Sequence, residues 1–103
     1  MTGASSPSRP AVLLLDPGDT AAVALVTLHP GTAVDVRRGG EALRVVAAGL
    51  IPFGHKIAVA AMAAGDPVVK YGEVIGFATA AIRPGEHVHI HNVRSDRAKL
   101  DDG

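Results

Sequence analysis

Apolar residues in this chain come in short runs, each cut by Gly or Pro before a helix can establish itself. Alanine-rich stretches such as residues 58–64 carry helical propensity. None of them reaches the roughly 12 residues at which an isolated helix becomes even marginal. The expected elements are therefore short strands, with at most one turn of helix before each glycine. Residues 34–38 and 41–46 flank Gly39-Gly40, a hairpin signature. A spacing also recurs: Ala24, Leu28, Gly31 and Val34 match Ala58, Met62, Gly65 and Val68, and again Ala78, Ile82, Gly85 and Val88. Each copy reads as a strand end, a tight turn bearing one large apolar side chain, a glycine that reverses the chain, and a new strand. Pro30 and Pro84, directly before Gly31 and Gly85, strengthen the turn. The pattern predicts a compact, mostly β domain; the repeat is too short and too few for a solenoid.

Residues 87–91 alternate histidine with β-branched aliphatics. In an extended strand, His87, His89 and His91 share one face while Val88 and Ile90 fill the other. Imidazoles at i and i+2, roughly 7 Å apart, reach one metal ion. From the residues alone two readings stand, a metal or proton-transfer site and a solvated face over an apolar core. Gly54-His55-Lys56 offers a proton acceptor beside a fixed positive charge, or else a plain turn before a strand. In Lys70-Tyr71-Gly72, Lys70 is suited to hold a carboxylate and Tyr71 to donate a hydrogen bond, and Tyr71 is equally suited to packing. Asn92 reads as a strand-ending turn residue, and His29 as a surface residue.

Composition narrows the class. The 103 residues make one domain, with residues 1–10 and 94–103 expected as flexible tails around a folded body at 11–93. Hydrophobic residues make up 48% but aromatics only 3%, so the core is built from small aliphatics. Ten basic residues balance ten acidic ones, which gives nucleic acid or an anionic membrane no bulk attraction. Cysteine is absent, which excludes thiolate metal sites and fits a reducing cytoplasm. No segment reads as a secretory signal or a membrane span.

Gly54-His55-Lys56-Ile57-Ala58, Val69-Lys70-Tyr71-Gly72, Ile75-Gly76 and the run from Gly85 to Asn92 occur in this order. Together they resemble the N-terminal domain of the altronate/galactarate dehydratase family, over roughly residues 13–93. The resemblance implies an SAF-type β-clip fold with short strands and one-turn helices. It implies a lyase that eliminates water from a sugar acid to give a 2-keto-3-deoxy acid, assisted by a divalent metal, Fe2+ or alternatively Mn2+. A similar small subunit occurs in sulfolactate sulfo-lyase, where sulfite leaves instead. The chain ends where fused members continue, which implies a separately encoded large catalytic subunit, with self-association as a weaker expectation from unpaired strand edges. A sugar- or metal-binding module without catalysis is the rival reading. Within the resemblance, His55, His89 and His91 are the expected catalytic residues. His89 and His91 are the expected metal ligands, and Lys56, Lys70, Tyr71 and Asn92 the expected substrate-binding residues. Ala61 stands where relatives tend to carry a polar or acidic residue.

Overall fold

The structure, a computed structural model, describes residues 10–95; the tails expected at 1–10 and 94–103 fall almost wholly outside the described residues. It is all β, with no helix among the described residues. The strands are β1 (Val12–Leu13), β2 (Ala21–Ala24), β3 (Ala33–Arg38), β4 (Glu41–Val46), β5 (Lys56–Ala58), β6 (Pro67–Lys70), β7 (Glu73–Ala78), β8 (His87–Val88) and β9 (Val93–Arg94). A four-stranded sheet runs β1-β2-β5-β8, a hairpin joins β3 to β4, and a third sheet runs β6-β7-β9, all antiparallel. The Gly39-Gly40 hairpin forms with Arg38 opposite Glu41, and Gly39 takes a φ of 58°.

The repeat is the skeleton of the fold, and it has four copies rather than three. Ala47, Ile51, Gly54 and Ile57 carry the same spacing. The copies lock in pairs. Leu28 and Ile51 exchange both backbone hydrogen bonds at 2.8 Å, and Met62 and Ile82 do the same at 2.9 and 2.8 Å. Each turn glycine donates its N–H to the alanine carbonyl of its partner copy: Gly31 to Ala47, Gly54 to Ala24, Gly65 to Ala78 and Gly85 to Ala58. The single helical turns expected before the glycines are absent. In their place stand β-turns closed from Thr32 N–H to His29, His55 to Pro52, Asp66 to Ala63 and Glu86 to Arg83. The third residue of each is glycine with φ between 86° and 95°, the type II requirement. Pro30 and Pro84 sit where that turn favours proline. Reciprocal strand-to-strand bonds satisfy the backbone here, which removes any need for helical ones.

The central sheet separates two cores. Ala22, Ala24 and Ile57 pack with Leu28 and Ile51 on one side. Ala21, Ala58 and Val88 pack with Met62 and Ile82 on the other. Successive residues of a strand point to opposite faces, so β2 and β5 feed both cores at once. Alanines on β2 leave space for both layers, which is why so few aromatics suffice.

Candidate functional site

The two clips bring the histidines together. The turn ending at Gly54 delivers His55 to the start of β5, and the turn ending at Gly85 delivers His87 on the neighbouring β8, with His87 opposite Ile57. Gly85 is doubly constrained. Its φ is 95°, and a Cβ there would lie 2.0 Å from the Val46 carbonyl oxygen. Only glycine lets this strand enter so close to the β4 end.

His55 Nδ1 and His87 Nε2 are 2.9 Å apart, a hydrogen bond in which one ring donates and the other accepts. His89 stacks on His55 with ring centroids 4.2 Å apart and on His87 at 5.3 Å. Ring nitrogens of His55, His87 and His89 all lie within 4.8 Å of one another. The His91 ring lies tilted by 37° against His87, with centroids 5.2 Å apart, and stays outside that group. Burial, with His55, His91, His89 and Lys56 adding repulsion, holds the His87 pKa below its ordinary value. Loss of solvation and the charges of His55, Lys56 and His91 lower His89 likewise. Neutral imidazoles are the form that coordinates metals and accepts protons.

The expected five-residue histidine strand is shorter in the structure. It ends at Val88, and residues 89–92 form a turn. The Asn92 side chain closes that turn, accepting from the His89 N–H at 2.9 Å while its amide donates to the His87 carbonyl at 2.9 Å. Both ends of the Asn92 side chain are thus engaged in shaping the site. The same turn corrects the expectation for Ile90, which does not fill the core but stands 84% exposed. Local side-chain capping by asparagine outcompetes strand pairing here. The alternation placed His87 on the candidate face with His89 and His91, whereas the roles implied by the resemblance fell to His55, His89 and His91; the structure brings His87 into the group with His55 and His89.

A cavity of about 380 Å³ opens beside the cluster, lined by Lys56, Lys70, Ile75, His89, Ile90, Val93 and Ser95. Burial and the nearby Lys70 ammonium lower the Lys56 pKa. Lys70 is placed by a tight hairpin, in which Tyr71 and Gly72 both take positive φ, 58° and 80°. These are the left-handed angles that a two-residue hairpin turn requires. Asp19 fixes it: fully buried, its carboxylate accepts from the Gly72 N–H at 2.8 Å and the Asp16 N–H at 3.2 Å. Nothing in the local sequence around Asp19 signalled this long-range role. The Lys70 ammonium sits 4.9 Å from the Tyr71 ring centroid, a cation–π contact, and Tyr71 is more than a third exposed rather than a core residue. His29 is exposed, as expected.

Residues 10–96 match the model of the altronate/galactarate dehydratase SAF domain. The chain belongs to this family. The SAF domain is 45% identical over 83 residues to altronate dehydratase of Escherichia coli K12, covering 81% of this chain and 16% of that protein. It is 49% identical over 47 residues to (2R)-sulfolactate sulfo-lyase subunit alpha of Chromohalobacter salexigens, covering 46% of the chain and 50% of the relative. Against the subunit alpha of Paracoccus pantotrophus it is 46% identical over 54 residues, covering 52% and 81%. The SAF domain thus spans about a sixth of the altronate dehydratase and half of the first sulfo-lyase subunit. No helix among the described residues is long and apolar enough to cross a membrane.

Proposed function

We propose that this SAF domain is the small subunit of a two-chain, metal-dependent lyase that eliminates water from a sugar acid or related 2-hydroxy acid to give a 2-keto-3-deoxy acid. The observation that carries this reading is the convergence of His55, His87 and His89 beside Lys56 and Lys70. Three imidazole nitrogens within 4.8 Å of one another suit a first-row divalent ion, Fe2+ or Mn2+. Such an ion, held by these three imidazoles, supplies Lewis-acid stabilisation of negative charge on substrate oxygens.

The remaining steps belong to the chain's own groups. Lys56 and Lys70 hold the substrate carboxylate and stabilise the negative charge that builds up when the α-proton leaves. His91, outside the ligand group and in tilted contact with His87, keeps its ring nitrogens for proton transfer. The α-proton passes to the imidazole, the β-carbon–oxygen bond breaks, and the departing hydroxide takes a proton to leave as water. The resulting enol tautomerises to the 2-keto acid. A larger catalytic chain completes the site, and the pair works in the cytoplasm.

A second reading changes the leaving group to sulfite. It is supported by identity, 46% over 54 residues to one sulfo-lyase subunit alpha, on a par with 45% over 83 residues to the altronate dehydratase. Co-expression with the chain encoded beside it, followed by a 2-keto acid assay with Fe(II), tests both. A complex active on sugar acids supports the first reading, and sulfite release from sulfolactate supports the second. A chain that recruits no partner and turns over neither substrate refutes both.

A further inference from the structure

Lys70 stands between an irregularity and a loop. The pairing of β6 with β7 slips between Val68 and Val69, and both residues of the loop after Lys70, Tyr71 and Gly72, take positive φ. One dipeptide from the far side of the chain ties down both flanks. Val69 donates its N–H to Thr20 Oγ1 and accepts the Thr20 N–H at its carbonyl, each at 2.9 Å. Gly72 donates its N–H to the Asp19 carboxylate at 2.8 Å. Lys70 is thus bracketed, with Thr20 holding the residue before it and Asp19 the loop after it. The same dipeptide reaches the second lysine. The Thr20 carbonyl accepts from the Val59 N–H at 2.9 Å, directly after β5, which carries Lys56. Arg38, at the end of β3, anchors the dipeptide in turn, its Nη2 donating to the Asp19 carbonyl at 3.0 Å.

Asp19 is the one buried polar or charged residue among the described residues, and its carboxylate forms no ion pair there. Burying a carboxylate without a counter-ion is costly. What offsets the cost is a pair of backbone N–H groups, from Gly72 and Asp16, held in charge-assisted hydrogen bonds. We propose that Asp19 and Thr20 are positioning residues that set Lys70 against Lys56 for an incoming carboxylate. The inference rests on the acid-binding reading of the cavity given above. Neither residue lines that cavity, so both act through the main chain on either side of Lys70. The histidine half of the site is held by other means, the Gly54 and Gly85 turns and the Asn92 side chain. The brace therefore serves the lysine half alone.

The test uses the full chain. A left-handed φ at Tyr71 gives a strong HN–Hα NOE, which is expected to weaken in Asp19→Asn, where an NH2 group turns a donor toward a backbone N–H. Gluconate serves as the acid probe, followed on the Lys56 signals. Asp19→Asn and Lys70→Gln are each expected to weaken its binding about tenfold, and the double variant to bind no more weakly than Lys70→Gln alone. Mn2+ uptake by the histidines is expected to stay within about twofold of wild type in Asp19→Asn. An additive loss of about a hundredfold in the double variant overturns the proposal. So does Mn2+ uptake that falls in step with acid binding, or a Tyr71 signal that Asp19→Asn leaves unchanged. If Asp19→Asn fails to fold, Thr20→Val, which keeps the shape and removes the hydroxyl, is read in the same cycle with Lys70→Gln. Gluconate that leaves the wild-type lysines unmoved removes the acid-binding reading, and the Tyr71 signal still decides the brace.

Discussion

The two clips share their backbone wiring and differ in the residue that follows the turn glycine. In the Met62–Ile82 clip that residue is acidic on both sides, and it caps its own turn: Asp66 Oδ2 accepts from the Ala63 N–H at 2.8 Å, and Glu86 Oε1 from the Arg83 N–H at 3.0 Å. In the Leu28–Ile51 clip the equivalent places hold Thr32 and His55, and His55 directs its ring to His87 instead. One clip uses these positions to hold itself together. The other releases one of them to the site. The contrast shows how a duplicated turn acquires chemistry: its backbone bonds suffice for the fold, which leaves a side chain free.

The largest expected effect comes from removing that freed side chain. His55→Ala takes one imidazole out of the cluster, and metal uptake followed by calorimetry is expected to weaken by more than about a hundredfold, with turnover lost alongside. His91→Ala sharpens the same point by splitting the readouts: metal uptake stays near wild type while turnover of the two-chain complex falls. If His91→Ala weakens metal uptake as much as His55→Ala does, the division between the three-imidazole group and His91 is wrong.

Next come the turn glycines. Gly54→Ala meets nothing within 4 Å and suffers only its φ of 86°, a cost of about 1–2 kcal/mol. Gly85→Ala adds the collision with the Val46 carbonyl and is expected to cost about 3 kcal/mol or more. Urea unfolding of the two variants measures the gap; equal midpoints contradict the close approach. The turn caps are smaller still. Asp66→Ala and Glu86→Ala each remove an exposed side-chain acceptor, at about 0.5–1.5 kcal/mol, whereas Thr32→Ala, with no such cap to lose, is expected to change stability less than either in the same denaturation series.

The smallest effect is on pH. His87 and His89 have folded-state pKa values below the ordinary histidine value of 6.5. They therefore bind fewer protons folded than unfolded, and stability is complete above that value and declines as the pH falls through it toward the folded values. Melting curves from about pH 7.5 to pH 5 are expected to drift downward, and the drift is expected to shrink in His87→Ala. Both rings are partly exposed, so solvent screens most of the shift. A melting temperature that rises toward acid contradicts the sign.

Much of the fold was legible in the chain. Glycine, proline and short apolar runs specify turns and strands locally, and Gly39-Gly40 specified its hairpin with the expected register. The fourth repeat copy was equally visible in Ala47, Ile51 and Gly54 but was obscured because Phe53 rather than proline or alanine precedes its glycine. The histidine segment misled for a physical reason. Alternation in residues 87–91 satisfies a strand, yet Asn92 offers two side-chain hydrogen bonds that a turn uses and a strand does not.

The sequence by itself thus determined the mostly β class, the turn glycines, the small-residue core and the family, because each follows from local conformational preference or from motifs close in the chain; that no helical turn forms was decided by the tertiary structure. The tertiary structure alone decided that His55 and His87, 32 residues apart, share a hydrogen bond, and that His91 stands outside the group they form with His89. It also decided that the buried Asp19 holds the turn presenting Lys70. Those pairings depend on which clip locks onto which, and that choice is made by long-range backbone bonds and by burial on both faces of one central sheet.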